Sequence, residues 1–93
     1  TVGLEEASSC KLQVTSYPNP AREVVYVEIA SSCELRDASF ELVDMYGKVI
    51  VKENLEPGKS VYEIIVRELP DGVYILWIMI KEQIVLEKVI VMH

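Results

Sequence analysis

Two combinations of a tight turn with an apolar strand, both in the second half of the chain, constrain the fold more than any other feature. One is the run FELVDMYGKV at residues 40–49, and the other is LPDGVYILWIMI at residues 69–80. Each joins recognisable turn residues to Val, Ile and aromatic residues, which pack well on a pleated sheet. Neither run carries a nucleophile, a general base or a set of metal ligands. The sequence therefore indicates a β-rich domain that acts by recognition rather than by reaction.

The rest of the chain repeats this alternation of short apolar runs and turn signals, which is typical of an all-β domain. We predict seven strands, at residues 11–17, 23–30, 39–45, 48–53, 60–66, 72–81 and 84–92. No segment shows the spacing of an amphipathic helix. Seven antiparallel strands in 93 residues predict a two-sheet β-sandwich. Residues 1–9 show no periodicity and are interpreted as a linker, so the folded domain is expected at residues 10–93.

The turn residues support more local predictions. Two prolines in the run YPNP at residues 17–20 must end the first strand, because proline cannot donate to a strand ladder. In the run DMYG at residues 44–47, Asp44 is expected to cap a type I turn and Gly47 to adopt the left-handed conformation of a bulged hairpin. Tyr74 follows an LPDG corner, where sandwich domains often bond a tyrosine hydroxyl to upstream backbone.

Strand alternation assigns side chains to faces. In the fifth run, Tyr62, Ile64 and Val66 share one face. The last two runs are apolar on both faces, which is unusual for a half-exposed sheet. One interpretation is a central strand covered by loops or by a larger parent protein. The alternative is an exposed apolar surface for a partner. Trp77, a lone tryptophan within an apolar strand, is expected in the core.

Composition and charge exclude several classes of function. The net charge of −6 repels phosphate backbones, so we expect no nucleic-acid partner. The longest apolar run, at residues 73–80, is too short to cross a membrane. The single histidine stands at residue 93, the sequence contains no phosphate-binding glycine loop, and no spacing of ligands suits a metal. We therefore predict no enzyme activity, no cofactor, no metal and no small-molecule substrate.

The two cysteines, Cys10 and Cys33, have two open interpretations. If the first two strands are neighbours, both cysteines lie at the end away from the turn at residues 18–21, where a disulfide could form. A disulfide would stabilise the domain by about 3 kcal/mol and would indicate an oxidising compartment. The alternative is a pair of free thiols.

Three ordered blocks of this sequence resemble the C-terminal sorting domains of the type IX secretion system of Gram-negative bacteria. The first is YPNPA at residues 17–21, leading into an apolar strand; the second is LVDMYGK at residues 42–48; the third is LPDGVY at residues 69–74. A last apolar strand with a basic residue, KVIV at residues 88–91, completes the pattern. The positions that match the family's motifs are Pro18, Asn19, Pro20, Asp44, Gly47, Gly72, Tyr74 and Lys88.

The resemblance implies an immunoglobulin-like sandwich at the end of a longer secreted precursor. Such a domain is recognised in the periplasm, directs its cargo through the outer-membrane translocon to the cell surface or beyond, and is commonly removed by a surface sortase. The implied partners are periplasmic and outer-membrane components of the system, the sortase, and a cargo domain joined at the N-terminus. The apolar final hairpin makes a homodimer a further candidate. The competing interpretation is a binding or spacer module, immunoglobulin-like or fibronectin-like, of a multidomain secreted protein.

Overall fold

The computed structural model of the protein describes residues 11–32, 37–80 and 83–93. Each of the seven predicted strands is present, with boundaries within two residues of the prediction. They are β1 (Leu12–Tyr17), β2 (Val24–Ser31), β3 (Ser39–Val43), β4 (Val49–Asn54), β5 (Val61–Ile65), β6 (Gly72–Ile80) and β7 (Gln83–Val91). The predicted linker at residues 1–9 and the two cysteines, Cys10 and Cys33, of the possible disulfide lie outside the described residues.

The strands form two antiparallel sheets, and the predicted all-β sandwich is confirmed. One sheet has the order β1-β2-β5, and the other has the order β4-β3-β6-β7. Pairing of β3 with β6 joins strands that are distant in sequence, as in immunoglobulin-like sandwiches, where the third strand lies beside the last hairpin. A further antiparallel ladder of nine residue pairs joins β6 to β7.

The core lies between the two sheets and is built by strand alternation. Tyr62 and Ile64 of β5 are buried as predicted, and so is Val66, which follows that strand. They face residues such as Phe40, whose ring meets the Tyr62 ring edge-on with centroids 5.5 Å apart. Among the described residues no polar or charged residue is buried, so the sandwich is held by apolar packing. Each fully buried large side chain stabilises such a core by about 1.5–3 kcal/mol.

The two faces of β6 have different environments. Tyr74, Leu76, Ile78 and Ile80 point into the core, whereas the alternate residues point away from it. Trp77 belongs to the outward set and is 36% exposed, so its predicted core position was wrong. The reason is the period of two in a strand: burial of the even-numbered residues turns Trp77 outward. The substitution Ile78→Lys would therefore test the stability of the core and not binding by the outer surface.

Candidate recognition site

The blocks of the sequence that match the motifs meet at one end of the sandwich. This end, called the motif end below, comprises the connections at residues 18–23, 44–48 and 66–71 together with residues 92–93. The strand register brings them together, because Val43 pairs with Ile75 and Gly72 pairs with Val91. In the other sheet, Val66 donates its N–H to the Glu23 carbonyl at 2.8 Å. Residues spread over most of the sequence thus share one surface region.

Asn19 joins the first block to the last strand. Its side-chain amide donates to the Lys88 carbonyl at 3.0 Å, and its side-chain oxygen accepts the Ile90 N–H at 3.0 Å. These two bonds are those that the backbone of a neighbouring strand would make. The Asn19 side chain therefore substitutes for a short piece of strand along the free edge of β7.

The backbone of Ala21 also pairs with the free edge of β7. Its N–H donates to the Ile90 carbonyl at 2.7 Å, and its carbonyl accepts the Met92 N–H at 2.9 Å. The side chain of Ala21 is fully buried. The two prolines that flank Asn19 follow cis peptide bonds, a feature that the sequence did not indicate. They border a shallow groove lined by Pro18, Pro20, Arg22, Glu23, Val24 and Tyr26.

The turn between β3 and β4 has the predicted geometry. One carboxylate oxygen of Asp44 accepts the N–H groups of Tyr46 and Lys48, each at 2.9 Å. Gly47 donates its N–H to the Asp44 carbonyl at 3.1 Å and has a φ of 86°. The turn thereby presents two apolar side chains to solvent, because Met45 is exposed and Tyr46 is 95% exposed.

The predicted tyrosine corner is present. Tyr74 is buried, and its hydroxyl donates to the Pro70 carbonyl at 2.7 Å. Burial raises the pKa of the Tyr74 phenol above its ordinary value, and the negative charges of Asp44 and Asp71 raise it further. The hydroxyl therefore stays protonated and can keep donating well into the alkaline range. Gly72 opens β6 two residues before it.

Asp71 and His93 form a contact that was missed from the sequence. One carboxylate oxygen of Asp71 accepts the His93 backbone N–H at 3.1 Å and lies 2.6 Å from Nδ1 of the imidazole. The hydrogen bond from the His93 side chain is the main reason that the pKa of Asp71 lies below its ordinary value. Little in the sequence indicated this contact, because Asp71 and His93 are 22 residues apart and belong to no shared motif.

The outer face of the four-stranded sheet is divided into a polar half and an apolar half. On β3 and β4 the side chains of Glu41 and Lys52 pair across the strands at 3.8 Å. On β6 and β7 the outward side chains are apolar except for the exposed Lys88. Four large ones form two cross-strand pairs, Trp77 with Leu86 and Met79 with Ile84. This group of four is called the outer apolar patch below.

No helix in the described part of the chain has the length and apolar character that crossing a membrane would require. Across residues 11–32, 37–80 and 83–93, no three histidine, cysteine or acidic side chains stand close enough together to hold a metal ion. The features found are turns and a tyrosine corner at the motif end, and an apolar patch on the outer face of the four-stranded sheet.

Most of this sequence matches one protein family. The family described as the secretion system C-terminal sorting domain matches residues 15–92. The chain belongs to this family. The resemblance to type IX sorting domains is thereby confirmed, and this family of sorting signals is not a catalytic one. As a member of the family, the domain is a secretion sorting signal directed toward the outer membrane or cell surface.

Solved structures add information on the fold. The crystal structure of dimeric latent PorU from Porphyromonas gingivalis is 20% identical in sequence, with a TM-score of 0.56. The match covers 90% of this chain but only 9% of the PorU chain, so this chain corresponds in length to a small part of that protein. CopC from Methylosinus trichosporium OB3b is 17% identical with a TM-score of 0.46, and the match covers 87% of this chain and 88% of CopC. No curated protein matches the sequence.

Proposed function

We propose that this domain targets a cargo protein, joined to its N-terminal side, through the type IX system across the outer membrane. The folded domain is read in the periplasm, and a surface sortase then removes it. The observation that carries the proposal is the family match over residues 15–92, combined with the meeting of the matched blocks at the motif end. A shape assembled from distant segments suits a signal that is read only after folding.

The matched residues contribute to this signal mainly by holding its shape. Asn19 fastens the first block to β7, and Asp44 fixes the turn that carries Tyr46. Tyr74 holds the corner that begins β6. None of these side chains needs to react with anything, since each satisfies backbone groups within the domain. Lys88 differs from the others, because its side chain is exposed and free to contact a secretion component directly.

The hairpin of β6 and β7 supplies the surface for binding. Its outer apolar patch offers side chains that a partner can bury, and its edge strand offers backbone groups that a partner strand can pair with. Both modes are known routes to peptide recognition, and edge pairing contributes affinity through main-chain hydrogen bonds. Recognition therefore requires no charged pocket and no bound small molecule.

A reporter fusion tests the proposed function. Residues 1–93 are joined behind a reporter that carries its own signal for export to the periplasm, and the fusion is expressed in a host with the type IX system and in a matched host without it. We expect the reporter outside the cell only in the first host. The reporter without the domain is the control. Periplasmic retention of the fusion in both hosts would refute the proposal.

Removal of the domain by a sortase is tested by a separate measurement on the same fusion. The mass and C-terminal sequence of the secreted reporter should show that the domain is gone, with the cut at or before residues 1–9. A secreted reporter that still carries the intact β-sandwich would contradict removal while leaving sorting in place.

A binding module remains the second candidate function, and one observation favours it. Tyr46 is 95% exposed on a turn that the Asp44 carboxylate fixes, which is how an aromatic contact residue for sugar or protein is presented. A binding module would retain a ligand in a host without the secretion system and would lose it on Tyr46→Ala. The sorting function instead depends on that system.

A further inference from the structure

We propose that the first half of the β7 edge, at Ile84 and Leu86, is the docking site for an extended apolar strand from a protein of the secretion machinery. This inference rests on the proposed function and deepens it by naming the segment and the kind of partner. The second half of the same edge is closed within the domain by Asn19 and Ala21. The division between the two halves determines where an added strand can pair.

The register shows which backbone groups face outward. Lys88 and Ile90 bond to Asn19 with the side of the strand that faces away from β6. In an antiparallel ladder alternate residues direct both backbone groups to the same side. The N–H and carbonyl groups of Ile84 and Leu86 therefore point to the same free edge. Among the described residues, no partner for these groups of Ile84 and Leu86 is found on that side.

The opposite edge of the same sheet is protected in ways that this segment is not. The edge strand β4 contains a bulge opposite Leu42 and Val43 and ends in the polar run KEN at residues 52–54. Bulges and charged side chains are the usual devices that keep a sheet edge from pairing with another chain. β7 begins with the uncharged Gln83, and its side chains from Ile84 to Leu86 are apolar. The first charged side chain within this strand is Glu87, which lies 3.5 Å from the Ser16 hydroxyl.

The outer apolar patch adjoins the open edge and indicates the chemistry of the partner. Ile84 is 59% exposed, Leu86 is 55% exposed, and both lie beside residues of β6 on the same face. A strand added to this edge would place alternate side chains next to Ile84 and Leu86. Apolar side chains at those positions would form stabilising cross-strand contacts with them. Four side chains are too few for the roughly 800 Å² per partner of a standard globular interface. Main-chain pairing with one extended strand supplies the rest of the contact.

Matched substitutions in the reporter fusion test the docking site. Ile84→Lys places a charge on the open edge, and Ile65→Lys makes the same change on the edge strand β5 of the other sheet, where Ile65 is 54% exposed. We expect Ile84→Lys to lower the secreted fraction about tenfold, the effect of losing roughly 1.4 kcal/mol of binding. Ile65→Lys should leave secretion within about twofold, since it lies away from the proposed site.

A second pair separates the backbone contribution from that of the side chain. Leu86→Pro removes the outward N–H, whereas Leu86→Ala removes only apolar contact, and proline is tolerated where the N–H of an edge strand faces solvent. Secretion should fall further with Leu86→Pro than with Leu86→Ala. Denaturation of each purified variant identifies any that fails to fold, and Ile84→Lys then carries the test alone.

Hydrogen exchange on the isolated wild-type domain tests the open edge directly. The amides of Ile84 and Leu86 should exchange rapidly, and the amides of Ile90 and Met92 should exchange slowly because Asn19 and Ala21 accept them. Slow exchange at Leu86 would overturn the inference.

The outcomes distinguish this inference from the function on which it rests. Loss of secretion with Ile84→Lys but not Ile65→Lys supports both. Normal secretion of folded Ile84→Lys and Leu86→Pro refutes the docking site and leaves the sorting function intact. Failure of the wild-type fusion to leave the cell refutes the sorting function itself. A wild-type dimer that Ile84→Lys converts to a monomer without affecting secretion would show that the edge pairs with a second copy, which also overturns the inference.

Discussion

The Tyr74 hydroxyl donates a 2.7 Å hydrogen bond to the carbonyl of Pro70, four residues earlier in the chain. The bond closes the corner through which the chain enters β6, and it lies at the motif end near Asp44 and Asp71. Tyr74 is buried as a residue, and the bond itself is part-buried. The corner therefore links the third block of the sorting motif to the stability of the whole sandwich.

Tyr74→Phe should lower the free energy of unfolding by about 1 kcal/mol, the typical net value of one hydrogen bond. The ring still fills its place in the core, so only the hydroxyl is lost. Chemical denaturation measures the change. Tyr46→Phe is the matched control, since Tyr46 is 95% exposed, and it should leave stability unchanged. Equal stability of Tyr74→Phe and wild type would contradict the role of the corner.

The raised pKa of Tyr74 predicts a loss of stability at alkaline pH. The folded pKa lies above the unfolded value of 10.0, so the folded state holds the proton more tightly. The resulting stabilisation is complete below about pH 10 and disappears as pH rises through the folded pKa. Unfolding free energies measured across this range should fall less steeply for Tyr74→Phe than for wild type. Identical slopes would argue against a shifted phenol.

The turn between β3 and β4 should depend on the Asp44 carboxylate. Asp44→Ala leaves the N–H groups of Tyr46 and Lys48 without their acceptor and should cost about 1–2 kcal/mol. Asp44→Asn keeps one acceptor oxygen and should cost less. Gly47→Ala should cost about 1–2 kcal/mol as well, because a Cβ is disfavoured at a φ of 86° although no atom lies in its way. Denaturation curves provide all three values, and a neutral Asp44→Ala would refute this account.

The Asp71 carboxyl should titrate below its ordinary pKa of 3.8 in the folded domain. Because the pKa of Asp71 is lower in the folded state, this carboxylate stabilises the domain at pH values above its unfolded pKa. The contribution disappears as pH falls through the folded pKa. An NMR titration of the Asp71 side-chain carbon measures the shift. His93→Ala removes its largest cause and should move the pKa upward, while the bond from the His93 backbone N–H remains. An unchanged pKa in that variant would exclude the imidazole as the cause.

Asn19→Ala should loosen the covered half of the β7 edge. Two hydrogen bonds at about 0.5–1.5 kcal/mol each are lost, and the Ile90 amide loses its acceptor. The amide should then exchange with solvent much faster. Asn19→Asp is the informative control, because its carboxylate can still accept from Ile90 but cannot donate to Lys88. Continued slow exchange of Ile90 in Asn19→Ala would show that Ala21 alone closes this edge.

Features encoded locally could be predicted from the sequence. The seven strands follow from apolar runs and turn residues, and the Asp44 turn needs only five consecutive residues. The Tyr74 corner likewise spans five consecutive residues. The family resemblance follows from the same blocks, since their order along the chain is itself a sequence property. Alternation also separated the two faces of β6, although it could not indicate which one the other sheet covers.

The tertiary structure alone decided which of those faces is buried, and so it placed Ile78 in the core and Trp77 outside. It also decided the contacts between distant segments, such as the bond from Ile90 to Asn19 across 71 positions of sequence. The physical reason is that such a contact depends on how two sheets pack and on the register between strands. Neither is fixed by the chemistry of any one segment. The sequence determined the strands and their turns, while packing determined which half of the last strand is closed and which half stays open.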